Sequence, residues 1–338
     1  MNMSYHYYKS ISKIQDMKKI LLTVFAAAMV AASCTKESAM KESPAAERVT
    51  LGICAPVEKM TKVAELEGER TVNRIQAFVF KENGDIDAWN VSETDEVTVE
   101  CSAGQREIVV VANAPDIEGV FSLSDLESRV SLLEDNSLGF LVMAGRTSME
   151  LTASSTVVVP VFRRVARISI ERIVTEFKMD QFKETDFVIK GIYLTNVAGD
   201  VPYLSDGDPS LWLNKMGLEV SGAGLFCSGE MSMSLAPGVA YETAHHFYCY
   251  PNASEDSFGQ EWSPRHTRLV VEASIGGITC YYPMTMPEIK ANHSYTVTEL
   301  KITGSGSWSP EDSVSPSDAS FSVDVQEWQD GYSGKFEI

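Results

Sequence analysis

The sequence predicts a mainly β protein, two β-sandwiches in tandem with a boundary near residue 160. Three observations carry that reading. Short stretches of period-two hydrophobic alternation recur from residue 48 to residue 328, Gly, Asn, Asp and Pro punctuate them, and a helical pattern is confined to Leu123–Leu133. A hydrophobic share of 44% over 338 residues is that of a globular chain long enough for two ordinary domains.

The N-terminal stretch stands apart from these strands. In Met17–Cys34, MKKILLTVFAAAMVAASC, Lys18 and Lys19 precede an apolar run from Ile20 to Val30 that is too short for a permanent transmembrane helix. The small residues Ala31-Ala32-Ser33 lead directly to Cys34. This is the arrangement of a bacterial lipoprotein signal, in which a peptidase cuts before the cysteine and Cys34 then carries acyl chains. An ordinary secretory signal with an incidental cysteine, or a buried helix, are the alternatives. Met17 begins a complete signal, so residues 1–16 read as an over-long start. On this reading residues 1–34 are signal and lipobox, residues 35–47 a polar tether, and the rest a membrane-tethered protein outside the cytoplasm. Loss of residues 1–33, which hold Lys9, Lys13, Lys18, Lys19 and Asp16, deepens the net charge from −19 to −22. Such a surface argues against nucleic acid or anionic lipid headgroups as partners.

The elements follow in order. Arg48–Pro56 (RVTLGICAP) alternates, with Val49, Leu51, Ile53 and Ala55 on one face: a strand with one side buried. Residues 57–71 are charged and read as an exposed loop that presents Lys62 to proteases. Val72–Phe80 is the next strand and residues 81–85 (KENGD) its turn. Val97–Cys101 and Glu107–Asn113 are expected to pair across residues 102–106, and Ser122 or Ser124 to cap the helix. Phe140–Arg146 and Thr156–Val161 complete residues 48–160, Pro160 marking a strand end or edge. The second sandwich, residues 161–338, starts with Phe162–Ile173 and the strong strand Phe187–Asn196. Val201–Gly224 reads as a Gly/Asp/Pro-rich loop; strands are then expected at Gly229–Leu235, His246–Tyr250, Arg268–Ile275, Gly277–Tyr282, His293–Ile302 and Phe321–Trp328.

Chemistry finds little support. His245, His246 and Cys249 could ligate a metal, but strand alternation puts His246 on the face opposite His245 and Cys249. Asp206-Gly207-Asp208-Pro209 lacks the spacing and closing Glu of a calcium loop and reads as a turn. No nucleophile elbow or zinc-helix motif occurs, so no catalytic residue, metal or cofactor is expected, and the chain does not read as an enzyme. The six cysteines form no C-x-x-C pair. With Cys34 lipidated an odd number remains; disulfides among Cys54, Cys101, Cys227, Cys249 and Cys280 stay open, and buried free thiols are the favoured reading.

Asn292–Trp308 (NHSYTVTELKITGSGSW) is the most specific stretch. Asn292 and Tyr295 lead a strand that ends in Gly304-x-Gly306, before a last strand bearing Trp328. In this it resembles the C-terminal domain of fimbrillin-type proteins, the major and minor pilus subunits of Bacteroidales. Phe162–Ile170, His246–Asn252 and Thr71–Asp85 are similar to further segments of that family, in the same order. The resemblance implies tandem transthyretin-like β-sandwiches and a fimbrial, adhesive function. It implies a precursor lipidated at Cys34, carried to the outer membrane, and cut after a basic residue by a trypsin-like protease. Carried over, Lys62 (alternative Arg70) precedes the cut, Val49, Leu51 and Ile53 belong to the removable strand, and Phe321, Val323 and Val325 to the donor strand of another copy or a related subunit. The competing reading is an uncut surface lipoprotein, a pilus anchor or tip or a glycan-binding module, for which Trp212, Trp262 and Tyr203 are the aromatic candidates.

Overall fold

The computed structural model describes residues 47–57, 66–219, 223–257, 262–327 and 333–337. Cys34, Lys62 and Trp328 lie outside the described residues. Strand accounts for 51% of the structure and helix for 6%, so the expected mainly β class holds.

The first half holds β1 (Arg48–Cys54), β2 (Ile75–Lys81), β3 (Ile86–Ser92), β4 (Glu96–Ser102), β5 (Gly104–Ala112), α1 (Leu123–Glu127), β6 (Val130–Leu132), β7 (Met143–Leu151), β8 (Ser155–Val158) and β9 (Phe162–Arg163). They form a three-stranded sheet, β4-β1-β8, and a five-stranded one, β3-β2-β5-β7-β9. The sequence expects β4 and β5 to pair as a hairpin; they do not. β4 pairs with β1 and β5 with β2 and β7, so Ala103 carries the chain from one sheet to the other. A polar node fixes that corner: Ser102 donates its backbone N–H (2.7 Å) and hydroxyl to Asp87, and Arg106 Nε donates to Asp87 at 3.0 Å. Burial pushes the Asp87 carboxyl up, but these hydrogen bonds and the Arg106 charge outweigh it and hold the pKa below the usual value.

The expected helix is shorter than its pattern. Ser122 caps α1 in a capping box with Asp125, as the sequence suggests, but α1 ends at Glu127 and residues 130–132 are strand. Val130 is β-branched and the segment finds a ladder partner from the second half, so tertiary pairing overrides local propensity.

That half continues with β10 (Ala166–Ile170), β11 (Ile173–Thr175), α2 (Asp180–Lys183), β12 (Phe187–Thr195), β13 (Val197–Ala198), β14 (Asp200–Pro202), β15 (Trp212–Leu213), β16 (Ala223–Gly224), β17 (Cys227–Ser228) and β18 (Met233–Leu235). It closes with β19 (His245–Cys249), β20 (Arg268–Ile275), β21 (Ile278–Thr285), β22 (His293–Ile302), β23 (Ala319–Glu327) and β24 (Ser333–Glu337). One sheet runs β19-β10-β22-β23-β24 with β11 on β22; the other runs β16-β17-β12-β20-β21 with β18 on β12. The stretch read as a loop, Val201–Gly224, contains strand. Buried Asp200 accepts the N–H groups of Ser210 (2.8 Å) and Leu211 (2.9 Å), folding the Asp/Gly/Pro turn back so that β15 pairs with β13. Asn292 and Tyr295 are both buried; Tyr295 donates its hydroxyl to Glu288 O at 2.8 Å, and Gly306 takes φ +69° where a Cβ would meet Tyr281 O at 2.6 Å.

The first set of sheets reaches past residue 160: Val161 bridges Val57, and Phe162–Arg163, expected to open the second sandwich, pairs as β9 with β7. The β6–β14 ladder joins the two sets as well. The buried apolar cluster is likewise continuous from Val49 to Val323.

Candidate functional site: the first strand and its berth

β1 lies at the centre of its sheet, antiparallel to β4 from Arg48↔Ser102 to Cys54↔Glu96 and parallel to β8 from Leu51↔Ser155 to Cys54↔Val158. Alternation puts Val49, Leu51 and Ile53 inward, all buried, and Ala55 and Val57 continue the same face. Beneath them lie Ile75, Ala77 and Val79 of β2 and Ile108 and Val110 of β5, in the same buried cluster. The outward side is tight as well: a Cβ on Gly52 would sit 3.1 Å from Thr156 Oγ1. Beyond Cys54 the lacing persists, with Val159 N–H donating to Cys54 O (2.9 Å) and Val161 N–H to Pro56 O (3.1 Å). Extraction of β1 would therefore leave β4 and β8 without a common neighbour, above an apolar floor.

The chain after β1 is held by charge. Glu69 is 0% exposed; Arg167 Nη1 donates to its carboxylate at 2.8 and 2.9 Å, and the Tyr248 hydroxyl at 2.8 Å. Arg163 Nε donates to the Glu69 carbonyl at 2.8 Å and its Nη1 to Asn292 Oδ1. Burial, then the adjacent Glu69 charge, keeps the Tyr248 phenol protonated far above its ordinary range. Arg70, the alternative cleavage residue, is half-buried and donates to Val57 O at 3.1 Å. Thr71, which follows it, is engaged on both sides of its peptide: its N–H donates to Gly68 O, and its carbonyl accepts Asn113 Nδ2 at 2.7 Å. Nothing in the sequence flags Glu69. It sits in a charged run that reads as solvated, and its partners come from 94 to 179 residues downstream.

The donor candidates occupy a sheet of their own. In β23, Val323 is buried while Phe321 and Val325 are half-buried against the core; β22 lies on one side and β24 on the other. Structure and sequence disagree over the glycan candidates. Tyr203 is 4% and Trp212 7% exposed, because Tyr203 joins the cluster beneath α1 and Trp212 is drawn into β15, edge-on to Trp262 at 5.5 Å. They offer no open platform. His245 stacks on Phe247, while His246 accepts or donates to Ser169 Oγ at 2.8 Å. Among the described residues no group of His, Cys, Asp and Glu gathers as a metal site, and Cys54, Cys101, Cys227, Cys249 and Cys280 are all free thiols. Among them, too, no helix is long and apolar enough to cross a membrane.

Residues 55–166 match the family of the major fimbrial subunit protein (FimA). Over 306 residues the chain is 25% identical to the major fimbrium subunit FimC of Porphyromonas gingivalis, an alignment covering 82% of this chain. It thus spans 62% of the length of the curated relatives it matches. Among solved structures, a candidate cell adhesion protein of Bacteroides eggerthii superposes with TM-score 0.63 at 18% identity, covering 84% of this chain and 97% of that one. A fimbrilin of Porphyromonas gingivalis gives 0.59 at 17% identity, with 83% and 97% covered. At these identities the likeness to the solved structures is one of fold.

Proposed function

We propose that this chain, whose residues 55–166 match the family of the major fimbrial subunit protein (FimA), is a structural subunit of a bacterial fimbria that serves cell adhesion. The precursor is a lipoprotein anchored through Cys34 in the outer membrane; processing then releases it into the cell-surface fimbrium. A trypsin-like protease cuts after Lys62, β1 leaves, and the strand bearing Phe321, Val323 and Val325 of another copy or a related subunit fills the vacated trough. Main-chain hydrogen bonds to β4 and β8 supply affinity, and alternate side chains supply register. The observation that carries this reading is the place of β1, central in a three-stranded sheet over an apolar floor. An empty berth of that kind is an open pair of sheet edges, which the precursor covers with its own strand until a partner arrives.

Of the two bonds, the one after Lys62 is favoured. Glu69 is buried, and Arg70 and Thr71 are tied by hydrogen bonds to Val57, Gly68 and Asn113, a poor substrate for a protease that must draw out an extended segment. Trypsin treatment of the full-length precursor tests the reading. Monomer should turn into a ladder of polymers, Lys62→Ala with Arg70→Ala should abolish the ladder, and Lys62→Ala alone should nearly do so. A cut protein that stays monomeric sinks it.

The second reading, an uncut lipid-anchored pilus anchor or tip, draws on the same geometry, since β1 is laced on both sides. Mass spectrometry of the N-terminus from native outer membranes separates the two: an acylated Cys34 for the uncut anchor, a free Val63 for the processed subunit.

A further inference from the structure

A cleft of about 420 Å³ opens on the outer face of the five-stranded sheet, between β3 and the segment 114–121. Cross-strand neighbours Phe78 and Trp89 share that face, yet Phe78 is 2% exposed and Trp89 61%. The covering segment stops one strand short of β3. Phe121, on the opposite wall, is 74% exposed.

Both walls are rigidly built, so these rings are not stray loop residues. The buried side chain of Gln76 staples the segment to β2: its Nε2 donates to Pro115 O at 2.7 Å and Ala114 O at 3.3 Å, and its Oε1 accepts Ile117 N–H at 2.9 Å. At the far end Ile86 N–H donates to Phe121 O at 2.9 Å, and Phe121 N–H to Asp125 Oδ2 at 2.9 Å. Arg129 Nη2 donates to the carbonyls of Glu118 (3.0 Å) and Gly119 (3.3 Å). Leaving two large rings in water on a fixed backbone forgoes burial worth about 2 kcal/mol each. Exposed apolar surface held in that manner marks a contact site.

The polar lining decides the occupant. Asp116 and Glu118 line the cleft, and no lysine or arginine does. Arg74 is engaged by Glu93 and Asp116, Arg129 by backbone carbonyls, and the Gln76 amide by the segment it staples. Asp116 is taken by Arg74, so what remains on offer is two aromatic faces, the Glu118 carboxylate and a strongly acidic surface. A neutral saccharide would also want side-chain donors, which apart from the Trp89 indole are spent. A cation suits every element, stacking over a ring while its N–H groups meet the Glu118 carboxylate, and the net charge steers it in. We infer that this cleft binds a lysine or arginine side chain presented by a peptide segment of another protein, independently of any strand exchange.

The test uses the full-length protein and a labelled short peptide alternating glycine and lysine, followed by fluorescence anisotropy. Binding should be saturable, weaken at physiological ionic strength, and vanish when every lysine is Nε-acetylated. Trp89→Ala leaves the net charge untouched and should weaken binding about tenfold, with Phe121→Ala close behind and Glu118→Gln about threefold. Circular dichroism checks that these surface variants fold. Unchanged affinity in Trp89→Ala would mean non-specific attraction of a polycation and overturn the inference. So would equal binding of the acetylated peptide, or tighter binding of maltoheptaose, which would make the cleft a saccharide site.

Discussion

The first strand and β23 have the same inward pattern and both lie between two partners, but they differ in how far that pattern is buried. β1 lies between two partners with all three inward side chains shut from water, whereas of the corresponding residues in β23 only Val323 is buried. β1 unites a sheet that has just two other strands; β23 lies one place from the end of a sheet that has five others. The difference teaches where the energy of an exchange resides. What the fold misses on losing β1 is a closed apolar face. What it would miss on lending β23 is its ladders with β22 and β24 and one fully buried valine. The exchange proposed above would draw on that contrast, a berth closed by three buried side chains and a strand whose inward residues are only partly buried.

The largest test of this contrast is Leu51→Asp. A carboxylate at a position with no solvent access costs several kcal/mol, enough to expel β1 from its berth in the intact precursor. The expected outcome is oligomerisation without protease, seen by size-exclusion chromatography, with the cut protein behaving as wild type. A monomeric variant with an unchanged melting temperature would show that β1 is not the plug. Next in size is Glu69→Ala, which removes the carboxylate that Arg167 meets at 2.8 Å inside the protein and should cost about 3–5 kcal/mol in urea unfolding. Unlike Leu51→Asp, it should destabilise precursor and cut protein alike, since residues 66–74 stay with the body after a cut at Lys62.

The strands were legible because each is a short amphipathic run: Arg268–Ile275 and His293–Ile302 match β20 and β22 residue for residue. Partnership was less legible. The hairpin expected of β4 and β5 fails because a strand pattern specifies which residues are buried, not which sheet receives them; β4 buries one face by alternation, whereas β5 buries Ile108–Ala112 on both faces. The berth of β1 was legible for the same reason, as Val49, Leu51 and Ile53 needed only a core. Glu69 was not, because a charge is buried only by partners distant in sequence, and Trp89 was not, because solvent exposure of a strand aromatic depends on where a covering segment happens to stop.

A smaller effect sharpens the account of β23. Val323→Ala should cost about 2 kcal/mol in the monomer and half-buried Phe321→Ala about as much, although phenylalanine is the larger side chain. In the polymer the order should separate, with Phe321→Ala clearly the worse, because a shut berth would bury the ring completely. Chemical denaturation of monomer and ladder compares them. Equal costs in both states would mean that β23 never leaves its own sheet.

The smallest expected effect is a pH dependence seated in β19, which packs beside the residues that clasp Glu69. Burial lowers the pKa of His245 and of His246, and for His246 the Arg167 charge adds to this while Glu69 opposes it. A base whose folded pKa is depressed binds fewer protons folded than unfolded, so stability is full above the ordinary histidine value of about 6.5 and declines as pH falls below it. Asp87 has the opposite dependence on charge, being held ionised, and its contribution is lost only lower, as pH falls below the usual carboxylate value. A decline in urea midpoint that begins near pH 6.5 therefore belongs to the histidines, and His245→Gln with His246→Gln should flatten it. Because Glu69 stays in place after a cut at Lys62, precursor and processed protein should decline alike. A steeper decline in the processed protein would mean that losing β1 loosens the Glu69 clasp and deprives His246 of the one charge that favours its protonation, which would tie the two regions together through Arg167.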